Sequence, residues 1–203
     1  MMRKHMMEKH TMSTDHKEDR THREQAEDWA EDRAEDLADH AEEILAGGRL
    51  WMAENLNVDM FSNGDPIREA STDEDWEDAG MRGEPAWRWA SDDPAERFQL
   101  GKLYNWYAIE DSRGLAPNGL RIPAAEELQA LVTAEQLLTK EIRPPRAGRC
   151  SEDGVRTYVA KVGCYWSETP WESYAQYLLF YCRKAGIRNC TRASGRSVRC
   201  LME

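Results

Sequence analysis

The residues of this chain able to carry chemistry lie at its opposite ends. Five histidines, His5, His10, His16, His22 and His40, precede residue 41, and none follows. Five cysteines, Cys150, Cys164, Cys182, Cys190 and Cys200, fall in the last third. A catalytic nucleophile needs a base within hydrogen-bond reach. With no histidine after His40, the main part of the chain has neither a His-dependent triad nor a His-ligated metal site. The histidine spacings match no zinc pattern, and these residues read as solvated. The cysteine count is odd and no C-x-x-C occurs, which indicates neither a disulfide framework nor a zinc ribbon. No apolar leader opens the N-terminus "MMRKHMMEKHTM", so the expected location is cytoplasmic as written, with reduced thiols; display on a cell or virion surface stays open. Acidic pairs are abundant, but a net charge of −11 supplies them by chance, and none sits in a motif.

The other chemistry on offer is recognition. Trp171 to Cys190 reads "WESYAQYLLFYCRKAGIRNC", between an orderly "GCYWSETP" and an orderly "GRSVRCLME". Aromatics, leucines, cysteines and arginines follow one another there with no clean period. Trp, Tyr and Arg are the residue types that anchor interfaces, because they offer large contact area with few rotors. The acidic balance argues against nucleic acid. No apolar run reaches the roughly 20 residues that would insert in a membrane.

Positioning such a surface needs a scaffold. Residues 1–20 are polar and aperiodic and read as a disordered tail. Residues 21–46 read as an N-terminal amphipathic helix, with Ala30, Ala34, Leu37, Ala41 and Ile44 on one stripe and Gly47-Gly48 ending it. The stripe packs on its own domain or on a second copy in self-association, or the helix stands free in solvent. Residues 47–203 read as one domain, with 171–194 as its variable-looking segment. The polar stretch after "SNGDP" carries Trp76, Trp87 and Trp89 and reads as a long ordered loop that buries its rings. "GKLYNWYAIED" and "RIPAAEELQALVTAEQLL" read as short helices. "GVRTYVAKVGCYW", "YAQYLLFY" and "RSVRCLM" read as terminal strands. The fold class expected is α+β with a small antiparallel sheet.

"LWMAENLNVD", "NGDPI", "GKLYNWYAIEDSRGLAPNGLRIP", "YWSETP" and "SVRCL", in that order, resemble the Fibrobacter succinogenes major paralogous domain family from Trp51 to Leu201. The resemblance implies a C-type lectin-like fold with two short helices, near 102–111 and 124–138, and a ligand surface on a terminal antiparallel sheet. The family pattern has Trp-His where Leu120-Arg121 stand here. It has a Ser or Thr helix cap where Ala124 stands, a loss of about 1 kcal/mol of capping.

Three function classes follow from that resemblance. Formylglycine-generating oxidases use a closely spaced cysteine pair, but Cys182 and Cys190 lack the flanking signature, so this is a distant alternative. Calcium-dependent sugar binding needs "EPN"-, "QPD"- or "WND"-like stretches, which are absent; oxygen ligands remain at Asp92, Asp93 and Glu152–Asp153. No metal or cofactor is expected. The favoured class is ligand display without catalysis, toward a protein or other macromolecular ligand. The chain resembles the variable proteins of diversity-generating retroelements, in which adenines of a short C-terminal gene segment are rewritten. Substitution at both adenines of an AAC codon yields Tyr, Cys, Arg, Ile, Asn, Thr, Leu, Phe, Ser and Ala among others. "IRNCTRAS" uses only that set, as do Tyr174, Tyr177, Leu179, Tyr181, Cys182 and Arg183. The ligand-binding residues expected are Trp171, Glu172, Tyr174, Gln176, Tyr177, Leu179, Tyr181, Cys182, Arg183, Lys184, Ile187, Arg188, Asn189 and Cys190. Ala175, Leu178 and Phe180 are expected as framework, with a bulge to reconcile their parity. Tyr177 and Tyr181 in an ordinary strand core is the competing reading. Cys182 and Cys190 are expected exposed and unpaired, and Cys200 buried. A fixed-specificity surface protein of the same family is the alternative.

Overall fold

The computed structural model describes residues 43–46, 48–133, 144–181 and 184–203. Within them the chain runs β1 (Glu43–Ala46), β2 (Arg49–Met52), β3 (Arg68–Glu69), α1 (Asp73–Arg82), β4 (Ala86–Trp89), α2 (Pro94–Leu100), β5 (Lys102–Tyr104), α3 (Trp106–Glu110), β6 (Leu120–Arg121), α4 (Ala125–Thr133), β7 (Arg149–Cys150), β8 (Arg156–Thr157), β9 (Val162–Trp171), β10 (Tyr174–Tyr181), β11 (Lys184–Thr191) and β12 (Leu201–Met202). The expected α+β, C-type lectin-like arrangement is corrected. The described residues are mostly β, with strands in four sheets and four short helices. Five of the strands are two residues long, too short to show alternation in sequence.

Other boundaries change with it. Residues 43–46, the end of the expected N-terminal helix, are strand β1, paired antiparallel with β2. The rest of that helix, the 1–20 tail and the end of the 124–138 helix lie outside the described residues. The expected helix over 102–111 splits: Lys102–Tyr104 is a strand and only Trp106–Glu110 is helical, capped by the Asn105 side chain on Ala108 N–H. The expected loop around the tryptophans contains α1. Its N-terminus is a capping box between Thr72 and Asp75, and Gly83 ends it in the left-handed region. Of the three tryptophans expected to bury their rings, Trp76 and Trp87 are buried and Trp89 is half-buried.

The last segment joins the four sheets. Gly195 bridges Cys150 of β7, Arg196 bridges Tyr104 of β5, and Ser197 bridges Tyr165 of β9. Leu201 of β12 then pairs with both Trp51 and Arg121. A stretch that reads as one strand is therefore a seam, spending its backbone bonds on partners from distant parts of the chain.

The sheet β11-β10-β9 is buried on both faces over its middle. Opposite residues of antiparallel strands share a face. Tyr177 opposes Trp166 and Leu179 opposes Cys164, and these pack with Trp106, Tyr104 and Val198. Leu178 opposes Tyr165, and with Phe180 these pack against Trp51, Leu128, Leu131 and Leu201 on the other face. Gly163 opposes Phe180, whose ring stacks on Tyr165; a Cβ at Gly163 would stand 2.1 Å from that ring, so only glycine fits. The parity of Ala175, Leu178 and Phe180 follows from this two-sided burial. A register shift also exists, but it lies in β9, where Ser167, Glu168 and Thr169 stand between the partners of Ala175 and Tyr177.

That bulge supplies the cap that Ala124 lacks. Thr169 Oγ1 accepts from Ala125 N–H at 2.9 Å, and Glu127 accepts from Ala124 N–H at 2.9 Å. Glu127 also receives both terminal nitrogens of Arg121 at 2.7 Å, and Arg49 lies 3.1 Å away. Arg121 thus stands where the family pattern has His, and holds the helix start as an ion pair. The Arg121 hydrogen bonds pull the Glu127 carboxyl down to about 2 from 4.5. A lowered carboxylate pKa stabilises above the unfolded value and loses that contribution as pH falls through the folded one. Glu127→Gln is expected to cost on the order of 2 kcal/mol at pH 7. The gap between variant and parent should close as pH falls from 4.5 toward 2. Urea melts across that range check it.

Candidate functional site

The structure divides the sequence-predicted recognition residues into separate groups. Trp171 opposes Tyr174 across the β9–β10 turn, and Tyr174 opposes Thr191 on β11. One step in, Gln176 opposes Asn189. These residues form a row at one end of the sheet, beyond the part that α4 covers. Trp171 is 50% exposed and Tyr174 45% exposed. Glu172 and Asn189 are exposed and Gln176 half-buried. Tyr181 and Lys184 are exposed at the far end of β10, about 23 Å away at the rise of a strand. Arg188 is exposed on the edge strand, but opposes Tyr177 and so takes the other face from Asn189. Cys182 and Arg183 lie outside the described residues.

Four expected positions are not surface positions. Tyr177 is 5% exposed, with its ring edge-on to Trp166, as in the strand-core reading. Leu179 packs on the same core cluster, and Ile187 on the cluster of the opposite face. Cys190 is not exposed: it is half-buried, packs on the core, and accepts from Arg196 Nη2 at 3.3 Å. Burial pushes its thiol up. A thiol reagent is therefore expected to modify Cys190 at least about tenfold more slowly in native than in denatured protein. Mass spectrometry of alkylated peptides measures that ratio.

Two residues outside the predicted set complete the patch. Arg192 lies over the Trp106 ring at 4.5 Å, pairs with Glu110 at 2.8 Å and donates to Glu172 O at 3.2 Å. Trp106 N–H donates to Arg192 O at 2.8 Å, so α3 and the turn after β11 are docked together. The Trp106 indole donates to Ser167 O in the bulge. Nothing in sequence marks the Arg192–Glu110 pair, which are 82 residues apart. Glu172, at the turn tip, holds φ 53 without being glycine, a conformation that L side chains rarely adopt.

The end of the sheet therefore offers two exposed aromatics and the amides of Gln176 and Asn189, with the pinned Arg192–Glu110 pair over Trp106, on the Tyr177 side, joined to them through the Glu172 turn. That set suits contact with a macromolecule: aromatic area with polar groups beside it. Of the acids considered for calcium, Asp92 pairs with Arg156, Asp93 caps α2, and Asp153 accepts from Ser151. Among the described residues no group of three or more His, Cys, Asp or Glu is placed to hold a metal. No helix among them is long and apolar enough to cross a membrane.

Comparison with known proteins finds one family. The Fibrobacter succinogenes major domain matches residues 44–148, just over half of the chain. "YWSETP", "SVRCL" and the patch on β9 to β11 lie beyond the matched residues. No curated protein and no solved structure among those compared matches the chain.

Proposed function

The chain belongs to the Fibrobacter succinogenes major domain family, and from that premise we propose that it is a binding protein without catalysis, whose ligand surface is the end of the β9–β10–β11 sheet. The surface is of the diversified kind, as in the variable protein of a retroelement. The observation that carries this reading is a division of labour within one segment. Trp171, Glu172, Tyr174 and Asn189 are exposed, while Ala175, Tyr177, Leu178 and Phe180 hold the two cores. Side chains at the exposed positions are free to change without unpacking the sheet. Tyr177 belongs to the adenine-substitution set yet is buried, so membership in that set does not by itself mark a binding position.

A fixed-specificity surface protein is the second reading. It is favoured by Arg192, which is tied to Glu110, Trp106 and Glu172 and is poorly suited to change. The neighbouring DNA separates the two. The diversified reading expects a near-repeat of the segment encoding 165–200, with mismatches confined to its adenines, beside a reverse transcriptase gene. Unlinked DNA with no such repeat sinks it and leaves the fixed surface.

A further inference from the structure

Tyr181, Lys184 and Arg188 fall outside the patch at the end of the sheet, and they mark a second surface. β11 is an edge strand: β10 lies on one side of it and no described strand on the other. None of its residues is buried. Alternate residues of an edge strand turn their N–H and C=O outward, where an added strand can pair with them. No other described segment bonds to the backbone of residues 184–190.

Charge selects the strand that this edge would accept. Lys184 opposes Tyr181 and Arg188 opposes Tyr177, so both stand on the face that carries Leu179 and Cys190. Arg68, Arg113, Arg121, Arg156 and Arg192 each pair with a carboxylate. Lys184 and Arg188 do not; the Arg188 side chain donates from Nη1 to Ile187 O of its own strand, at 2.9 Å. Arg196 Nη2 meets Cys190 Sγ at 3.3 Å, and the Arg149 charge also reaches that thiol. This corner is positive on a chain whose net charge is −11. Gly186 stands between the two exposed cations. A Cβ there would meet only Arg188 Nη1, at 3.5 Å, so the way across the strand to half-buried Leu179 is open. A second copy paired about Gly186 would set Lys184 against Arg188, like charge on like, which disfavours self-pairing. An acidic strand meets the reverse condition.

We propose that the outer edge of β11 binds an extended acidic segment of a partner protein by strand addition. Two carboxylates four residues apart, about 14 Å at the rise of a strand, meet Lys184 and Arg188. An apolar side chain midway between them lies over Gly186 against Leu179. Backbone pairing supplies the docking, and the two ion pairs set the register and the choice of partner. The surface is separate from the row of Trp171 and Tyr174 and does not depend on its role.

The test is a calorimetric titration of the full chain with a capped polythreonine peptide that carries two glutamates four apart and a leucine midway. Hydrogen exchange of the β11 amides is followed in parallel. Saturable binding is expected, with exchange at alternate β11 amides slowed at least about tenfold. A peptide of the same composition with its glutamates adjacent should bind at least about tenfold more weakly, since only one can reach a cation. A protein carrying both Lys184→Glu and Arg188→Glu should lose the glutamate peptide and gain its lysine counterpart. Absence of saturable binding overturns the proposal, as does binding that leaves β11 exchange unchanged. Equal binding of the two glutamate peptides, or retention of the glutamate peptide by a charge-reversed protein that melts cooperatively, overturns it too. Equal competition by an oligothymidylate would mean a general polyanion surface and also overturns strand addition.

Discussion

Trp166→Ala is expected to destabilise the protein by about 3–5 kcal/mol, and Leu178→Ala by about 2–5 kcal/mol. Trp171→Ala and Tyr174→Ala, a few residues away on the same strands, should stay within about 0.5 kcal/mol. Trp166 is fully buried. Its indole donates to Tyr104 O at 2.8 Å, its ring meets Tyr177 edge-on, and Arg196 lies 5.6 Å above it. Removing it opens a cavity and takes one of two hydrogen bonds from Tyr104 O, which keeps the Arg196 N–H at 3.0 Å, so the cavity dominates the cost. Leu178 fills the opposite face, against Tyr165 and the leucines of α4. Trp171 and Tyr174 have half or nearly half their surface in water, and neither belongs to a core cluster. Urea melts of the four variants decide the matter. A loss at Trp171 or Tyr174 equal to that at Trp166 would mean that the turn holds the sheet together, and the proposed binding surface would fail.

The second large effect is expected in alkali. Burial pushes the Cys150 and Cys164 thiols up to about 11, and the Cys200 thiol up to about 12, from 9.0. All three are free and buried. The folded protein therefore keeps protons that the unfolded chain releases once pH passes 9. Stability is full below that value and falls as pH rises toward the folded pKa values. At pH 10 each thiol removes about 1.4 kcal/mol, so the three together remove about 4 kcal/mol. Tyr104 and Tyr165 are also pushed up by burial and extend the loss at higher pH. Reduced protein melted in urea at pH 8, 9 and 10 should show this fall. Cys200→Ala should be less stable than the parent at pH 8, with a gap that narrows by about 1 kcal/mol at pH 10. A flat profile across that range would mean that these thiols are reached by water.

Legibility in the sequence followed the range of the interactions involved. The family motifs and the ordered nature of the tryptophan stretch were readable, because they rest on residue types in fixed local order. The cap of α1 was readable too, since Thr72 and Asp75 stand three apart before Trp76 and Gly83 closes the segment. The surrounding Pro and Gly obscure it, since they read as loop. Strand β5 merged with helix α3 in the reading, since Leu103, Trp106 and Tyr107 fit a helical spacing while Asn105 marks the true start.

By itself the sequence determined where histidine is absent and where aromatics and arginines are concentrated. It excluded histidine chemistry beyond His40 and placed the aromatic and arginine-rich segment near the C-terminus. Only the tertiary structure decided which of those residues face solvent. Period-2 alternation reports burial when one face of a strand is wet. β10 has core on both faces, so Tyr177 and Leu178 are both buried and alternation is silent. Exposure is set instead by how far α4 reaches along the sheet, and by the bulge through which Thr169 caps that helix. The Arg192–Glu110 pair arises in the same way. It depends on which distant segment the C-terminal seam lies against, and that is a property of the packed chain.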